Sequence, residues 1–131
     1  MNGAVVKRGM LLFAHGARDP RWAEPFEDIA RRVRLRDPAL SVRLAFLEFM
    51  TPALPEAGRS LALAGCTRVD VVPLFLGAGG HVRKDLPALL AELAAAYPDV
   101  RWQLQRAIGE IDSVIDAMAS AAILTSDTPP P

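Results

Sequence analysis

The 131 residues are 51% hydrophobic and 23% charged, enough for one compact domain with its own core and too few for two. Fifteen lysines and arginines balance fifteen aspartates and glutamates; with no net charge to hold nucleic acid or a membrane surface, an anionic ligand has to meet a local cluster. The single cysteine, Cys66, excludes an intramolecular disulfide, fits a reducing compartment and reads as a small buried apolar residue. No apolar run approaches the roughly 20 residues that span a bilayer. The run after Lys7 and Arg8 is cut short by His15, which is too soon for a signal peptide, so a soluble cytoplasmic protein is expected.

A flexible N-terminus over residues 1–8 leads into Gly9 to Ala14 (GMLLFA), a continuous apolar run of the kind found in a parallel strand buried on both faces. Trp22, Phe26, Ile29, Ala30 and Val33 then recur at helical spacing up to Arg36, and Asp37-Pro38 ends that helix. Ser41 to Phe49 (SVRLAFLEF) is extended. Thr51-Pro52 offers a capping hydroxyl and a first-turn proline for a helix over Ala53 to Ala64, closed by Gly65. Arg68 to Leu76 (RVDVVPLFL) is the third strand, followed by the glycine-rich loop Gly77 to His81. Asp85 caps an expected helix from Leu86 to Tyr97, Pro98-Asp99 stops it, and Val100 to Gln105 is a short fourth strand. A last helix covers Gly109 to Leu124, and the proline-rich tail 125–131 is expected to be disordered. Strict alternation of strand and helix predicts a single three-layer α/β/α domain over residues 9–124, with a mostly parallel four-stranded sheet and flavodoxin-like winding. Ligands gather at the carboxyl ends of the strands in such folds.

Three residues with metal or proton chemistry fall at those ends: His15 after the first strand, Glu48 near the end of the second, and His81 in the loop after the third. The histidines are the only two in the chain, and they occupy equivalent topological positions. Glu48 equally suits a solvent-facing place on an alternating strand. Neutral imidazole binds divalent iron, cobalt, nickel or zinc, and a carboxylate completes the set or takes protons. Two histidines and one carboxylate leave coordination positions open, which favours transfer over storage. With no H-E-x-x-H and no cysteine pair, a closed structural zinc site is not expected. Gly77, Gly79 and Gly80 would let a broad ligand approach the backbone closely. Lys84 lacks the Gly-Lys-Ser/Thr context of a phosphate loop, and no G-x-G-x-x-G follows the first strand, so nucleotide binding is disfavoured. Arg18, Arg21, Arg83 and Lys84 flank the histidines and form a potential cationic rim for a polycarboxylate, each taken singly being ordinary solvated surface. Trp22 and Phe26 read as core rather than as a stacking platform.

Three segments, LLFAHGARDPRWAEPF, VRLAFLEFMTPALPEA and VDVVPLFLGAGGHVRKDLP, resemble the small sirohydrochlorin chelatase family, the CbiX type of the class II chelatases. They span Leu11 to Pro87. The resemblance implies ATP-independent insertion of cobalt, iron or nickel into sirohydrochlorin, on the way to cobalamin, sirohaem or a related nickel cofactor. No cofactor is implied beyond the divalent metal substrate itself. The family's two metal-handling histidines fall on His15 and His81, and its active-site glutamate on Glu48. Arg18 and Arg83 are expected to anchor substrate carboxylates, with Arg21, Lys84, Gly79 and Gly80 beside them. Single-domain members correspond to half of the two-domain forms and generally pair as homodimers.

Two other classes use similar parts. A histidine phosphatase also opens with a strand ending in His-Gly, but an arginine precedes its histidine, where this chain has Ala14. A non-catalytic metal or tetrapyrrole carrier would use the same residues as a chelatase and differs only in turnover.

Overall fold

A computed structural model describes residues 5–77 and 79–127, except the side chains of His81 and Arg83. Residues 1–4 of the expected flexible N-terminus and 128–131 of the expected proline-rich tail lie outside the described residues. Order begins earlier than expected, since the Lys7 N–H donates to Thr67 Oγ1 at 3.0 Å and the first strand starts at Arg8.

Four parallel strands, β1 (Arg8–Ala14), β2 (Ser41–Phe46), β3 (Arg68–Pro73) and β4 (Arg101–Leu104), form a sheet of order β2-β1-β3-β4. This is the doubly wound α/β/α architecture, and the winding direction reverses between β1 and β3. Alternation along β1 sends Leu11 and Phe13 to one face and Met10 and Leu12 to the other, so both faces need cover. On the first face α2 (Leu54–Leu63) and α3 (Gly80–Ala96) bury Leu54, Leu61, Leu86, Leu90 and Leu93 against Leu11, Phe13, Val69 and Val71. On the second, α1 (Ala23–Arg36) packs Ala30 and Val33 against Leu12 and Val42. The last helix, α4 (Asp112–Ser126), runs two residues beyond its expected end and buries none of its residues.

The strands are shorter than the apolar runs in the sequence. β2 stops at Phe46 and β3 at Pro73, because Leu47 to Met50 and Leu74 to Gly77 turn out of the sheet as loops. Two expected caps are also displaced. Thr51 does not cap α2, whose first turn follows Ala53; instead the Pro52 carbonyl accepts from the Phe46 N–H at 2.9 Å. Asp85 lies inside α3, which begins at Gly80 and continues through Pro87. His81 is therefore the second residue of a helix rather than part of a loop. Cys66 is buried as expected, against Gly9.

Gly109 holds the end of the sheet together. A Cβ there would lie 2.1 Å from the Leu76 carbonyl oxygen and 2.3 Å from the Leu76 Cα, so only glycine lets the loop after β3 rest on the turn before α4. The Gly109 N–H donates to Phe75 O at 2.9 Å and fixes the contact.

Candidate functional site

The carboxyl ends of β1 and β3 meet at the point where the winding reverses, and His15, Trp22, Phe26, Leu74, Phe75, Leu76 and Gly77 line a cavity of about 440 Å³ there. His15 is the first residue past β1. Its ring packs on Phe75 with centroids 4.5 Å apart, and its carbonyl accepts from Trp22 Nε1 at 2.7 Å. Asp19 accepts from the Arg21 N–H and caps the 3-10 turn Pro20–Trp22, which brings Trp22 to that position. Trp22 is 43% exposed and lines the cavity, contrary to the core role expected for it; its indole N–H needs a polar partner and finds one at the edge of the site.

Glu48 comes to His15 through the loop after β2. The Leu47 N–H donates to Ala14 O at 2.8 Å, extending the β1–β2 ladder by one bond. The Met50 N–H then donates to Glu48 O at 2.8 Å across Phe49, whose φ of 63° lies in the left-handed region. Such a γ-turn with a left-handed central phenylalanine is strained, and strain of this kind collects at functional sites. Gly16 makes the approach sterically feasible: a Cβ there would stand 1.6 Å from the Glu48 carbonyl oxygen.

The result is a His15 Nδ1 to Glu48 Oε1 separation of 3.6 Å, too long for a hydrogen bond. Glu48 Oε2 is buried with no hydrogen-bond partner among the described residues. A divalent ion ~2.1 Å from a histidine nitrogen and a carboxylate oxygen holds them about 3.0 Å apart at a right angle and about 3.4 Å apart at the tetrahedral angle. The observed spacing is close to that range, and the orphaned oxygen is a further donor, so the pair fits metal handling better than it fits itself. Backbone placement puts His81 on the first turn of α3, immediately beyond the loop that follows β3. Among the described residues, and apart from the neighbouring residues of the chain and the backbone of α3 itself, no atom lies within 4 Å of where a Cβ would stand at Gly77, Gly79 or Gly80.

The expected cationic rim is only partly free. Arg21 binds Asp19 at 2.9 Å, which raises the guanidinium pKa and lowers that of the carboxyl through their hydrogen bonds. Arg18 lies with Cζ 5.1 Å from the centroid of the Phe49 ring and pairs with no carboxylate among the described residues. Lys84 is exposed on α3. Phe75 and Phe49 went unnoticed in the sequence. The first sits in a run that reads as strand, and the second owes its importance to a backbone angle; the tight His-Gly after β1 was the available signal that another backbone passes close by.

Fold and site together define a doubly wound α/β domain with an open histidine–carboxylate pair at its switch point. The chain belongs to the CbiX family, whose model matches residues 9–123. Among curated relatives it is 35% identical over 85 residues to the sirohydrochlorin cobaltochelatase of Methanosarcina acetivorans, covering 65% of each chain. It is 36% identical over 86 residues to that of Saccharolobus islandicus, covering 63% of this chain and 62% of the relative. The aligned part thus spans just under two thirds of these relatives. A Marinobacter aquaeolei structure described as a cobalamin biosynthesis CbiX protein superposes with a TM-score of 0.80 at 31% identity, over 92% of this chain and 98% of that one. The sirohydrochlorin chelatase SirB of Bacillus subtilis subspecies spizizenii, solved with cobalt, gives 0.72 at 25% identity over 79% of this chain and 44% of its own. SirB from Bacillus subtilis with Fe3+ gives 0.75 at 25% identity, covering 86% of this chain and 44% of that one.

Proposed function

We propose that the protein is a cytoplasmic sirohydrochlorin metal chelatase that inserts cobalt, iron or nickel without ATP and works as a homodimer. The observation that carries this reading is the buried Glu48 oxygen, without a partner among the described residues, beside His15 at the strand switch point. The relatives named for sirohydrochlorin cobaltochelatase support it. Insertion releases both pyrrolic N–H protons as the metal exchanges its waters for ring nitrogens. His15 and His81 hold the incoming ion at one face of the ring. Glu48 completes the coordination or receives a proton. Trp22, Phe75 and Leu76 supply apolar wall to the macrocycle, and Arg18, with Arg83 and Lys84 on α3, meets its peripheral carboxylates. Cobalt and iron are separated by supply rather than by these ligands, because affinity series rank metals alike on one donor set.

The test is anaerobic absorption spectroscopy with sirohydrochlorin and Co2+, Fe2+ or Ni2+ in turn. Metallation of many equivalents of tetrapyrrole per protein chain is the expected result. Binding that stops at one equivalent would make the protein a carrier and overturn the reading. Glu48→Gln keeps the side-chain shape and removes the charge, so turnover is expected to fall by roughly 10²-fold or more if the carboxylate takes a proton in the slow step. The thermal midpoint stays within a few degrees, since the amide keeps the shape of a side chain that is 37% exposed and has no hydrogen bond among the described residues to lose. Undiminished turnover in Glu48→Gln would remove Glu48 from the chemistry.

A further inference from the structure

Phe49 is costly where it stands, for two separate reasons. Among the described residues it is the only non-glycine with a positive φ, at 63°, whereas the other left-handed position, with φ 89°, is Gly65. Glycine would make the same turn without the steric penalty of a Cβ. The side chain gains little burial in return, since it is 64% exposed. A bulky ring kept at a strained and solvent-facing position points to a task for the ring itself. Its neighbour is Arg18, whose Cζ lies 5.1 Å from the ring centroid, inside the ~6 Å reach of a cation–π contact.

Arg18 is held differently from other arginines of the molecule. Arg21 is fixed by Asp19 at 2.9 Å and Arg8 by Asp37 at 2.8 Å, so their charges are met within the chain. Arg18 is exposed and pairs with no carboxylate among the described residues. A guanidinium laid against an aromatic face is oriented without being neutralised, and its N–H donors, which lie in its own plane, stay available to a bidentate carboxylate. Arg18 lies three residues after His15, and Phe49 directly follows Glu48. The contact therefore joins the two loops that carry the histidine–carboxylate pair.

We propose that Phe49 is a positioning residue, its ring seating the Arg18 guanidinium beside the site to receive a carboxylate of the tetrapyrrole. The inference rests on the proposed function for the identity of that ligand. The ring acts on substrate capture through Arg18 and takes no part in the transfer of metal or protons.

The first readout is equilibrium binding of metal-free sirohydrochlorin, followed by quenching of tryptophan fluorescence, since Trp22 lines the cavity. Phe49→Leu keeps an apolar side chain and removes the aromatic face; it is expected to raise Kd roughly 5- to 10-fold. Phe49→Tyr restores the face and the parent Kd. Arg18→Ala is expected to weaken binding roughly 10- to 100-fold, and in that background Phe49→Leu adds no further loss. In turnover, Phe49→Leu raises KM by a larger factor than it lowers kcat. The second readout needs no tetrapyrrole. The Arg18 Nε–H resonance, assigned by its loss in Arg18→Lys, is expected upfield in the parent through the ring current and moves downfield in Phe49→Leu. Parent-like affinity in Phe49→Leu, additive losses in the double variant, or an Arg18 resonance indifferent to residue 49 would overturn this proposal alone. A parent chain that binds no sirohydrochlorin would overturn the proposed function and this inference with it.

Discussion

His15→Ala is expected to abolish metal insertion while leaving the fold intact, with turnover falling by roughly 10²- to 10⁴-fold, the range for removal of a group positioned at the reacting atoms. The side chain is 45% exposed and makes no side-chain hydrogen bond among the described residues. Its stability contribution comes from the ring contact with Phe75 and is worth about 1 kcal/mol or less. The thermal midpoint should therefore move by only a few degrees. Calorimetric titration with Co2+ alone separates two ways of losing turnover. Loss of metal binding together with insertion assigns His15 to holding the ion, and retained binding without insertion assigns it to the proton or ring step. Turnover within a few-fold of the parent would place the chemistry elsewhere.

Gly16→Ala carries the largest expected structural effect. Its Cβ would meet the Glu48 carbonyl oxygen at 1.6 Å and the carbonyl carbon at 2.8 Å. Both are backbone atoms, held by the Leu47 and Met50 hydrogen bonds on either side, so no side-chain rotation relieves the clash. Overpacking against a side chain costs about 1–3 kcal/mol, and a backbone clash falls at or above the top of that range. For a domain of this size that lowers the melting midpoint by roughly 10 °C or more, read by calorimetry or circular dichroism. Residual activity well below the melting range should also drop, because the chain relaxes by moving the loop that carries Glu48 away from His15. An unchanged midpoint would show that the close approach of the two strand ends is not built as described.

Much of the fold follows from local pattern. Apolar runs for buried strands, amphipathic spacing in α1 and the Asp37-Pro38 stop are nearest-neighbour properties, and each places an element close to where it lies. Ends were less accessible. The runs SVRLAFLEF and RVDVVPLFL stay apolar past the sheet, where Phe75 and Leu76 line the cavity and Phe49 packs against Arg18 after the strands have ended. Nothing in their residue types marks the change. The caps at Thr51 and Asp85 failed for a related reason: packing of α2 and α3 on the sheet outweighed a side-chain cap worth about 1 kcal/mol.

By itself the sequence determined the α/β alternation, the burial of β1 on both faces and the candidacy of His15, Glu48 and His81, since strand ends are where such residues can act and these lie at strand ends. Only the tertiary structure decided which of them come together, because the 3.6 Å approach of Glu48 to His15 depends on the γ-turn at Phe49 and the missing side chain at Gly16. It alone exposed Trp22 to the cavity, tied Arg21 to Asp19 and left α4 with no buried residue. Those outcomes turn on contacts between residues distant in sequence and on space left unfilled, and neither is encoded in the periodicity of any one segment.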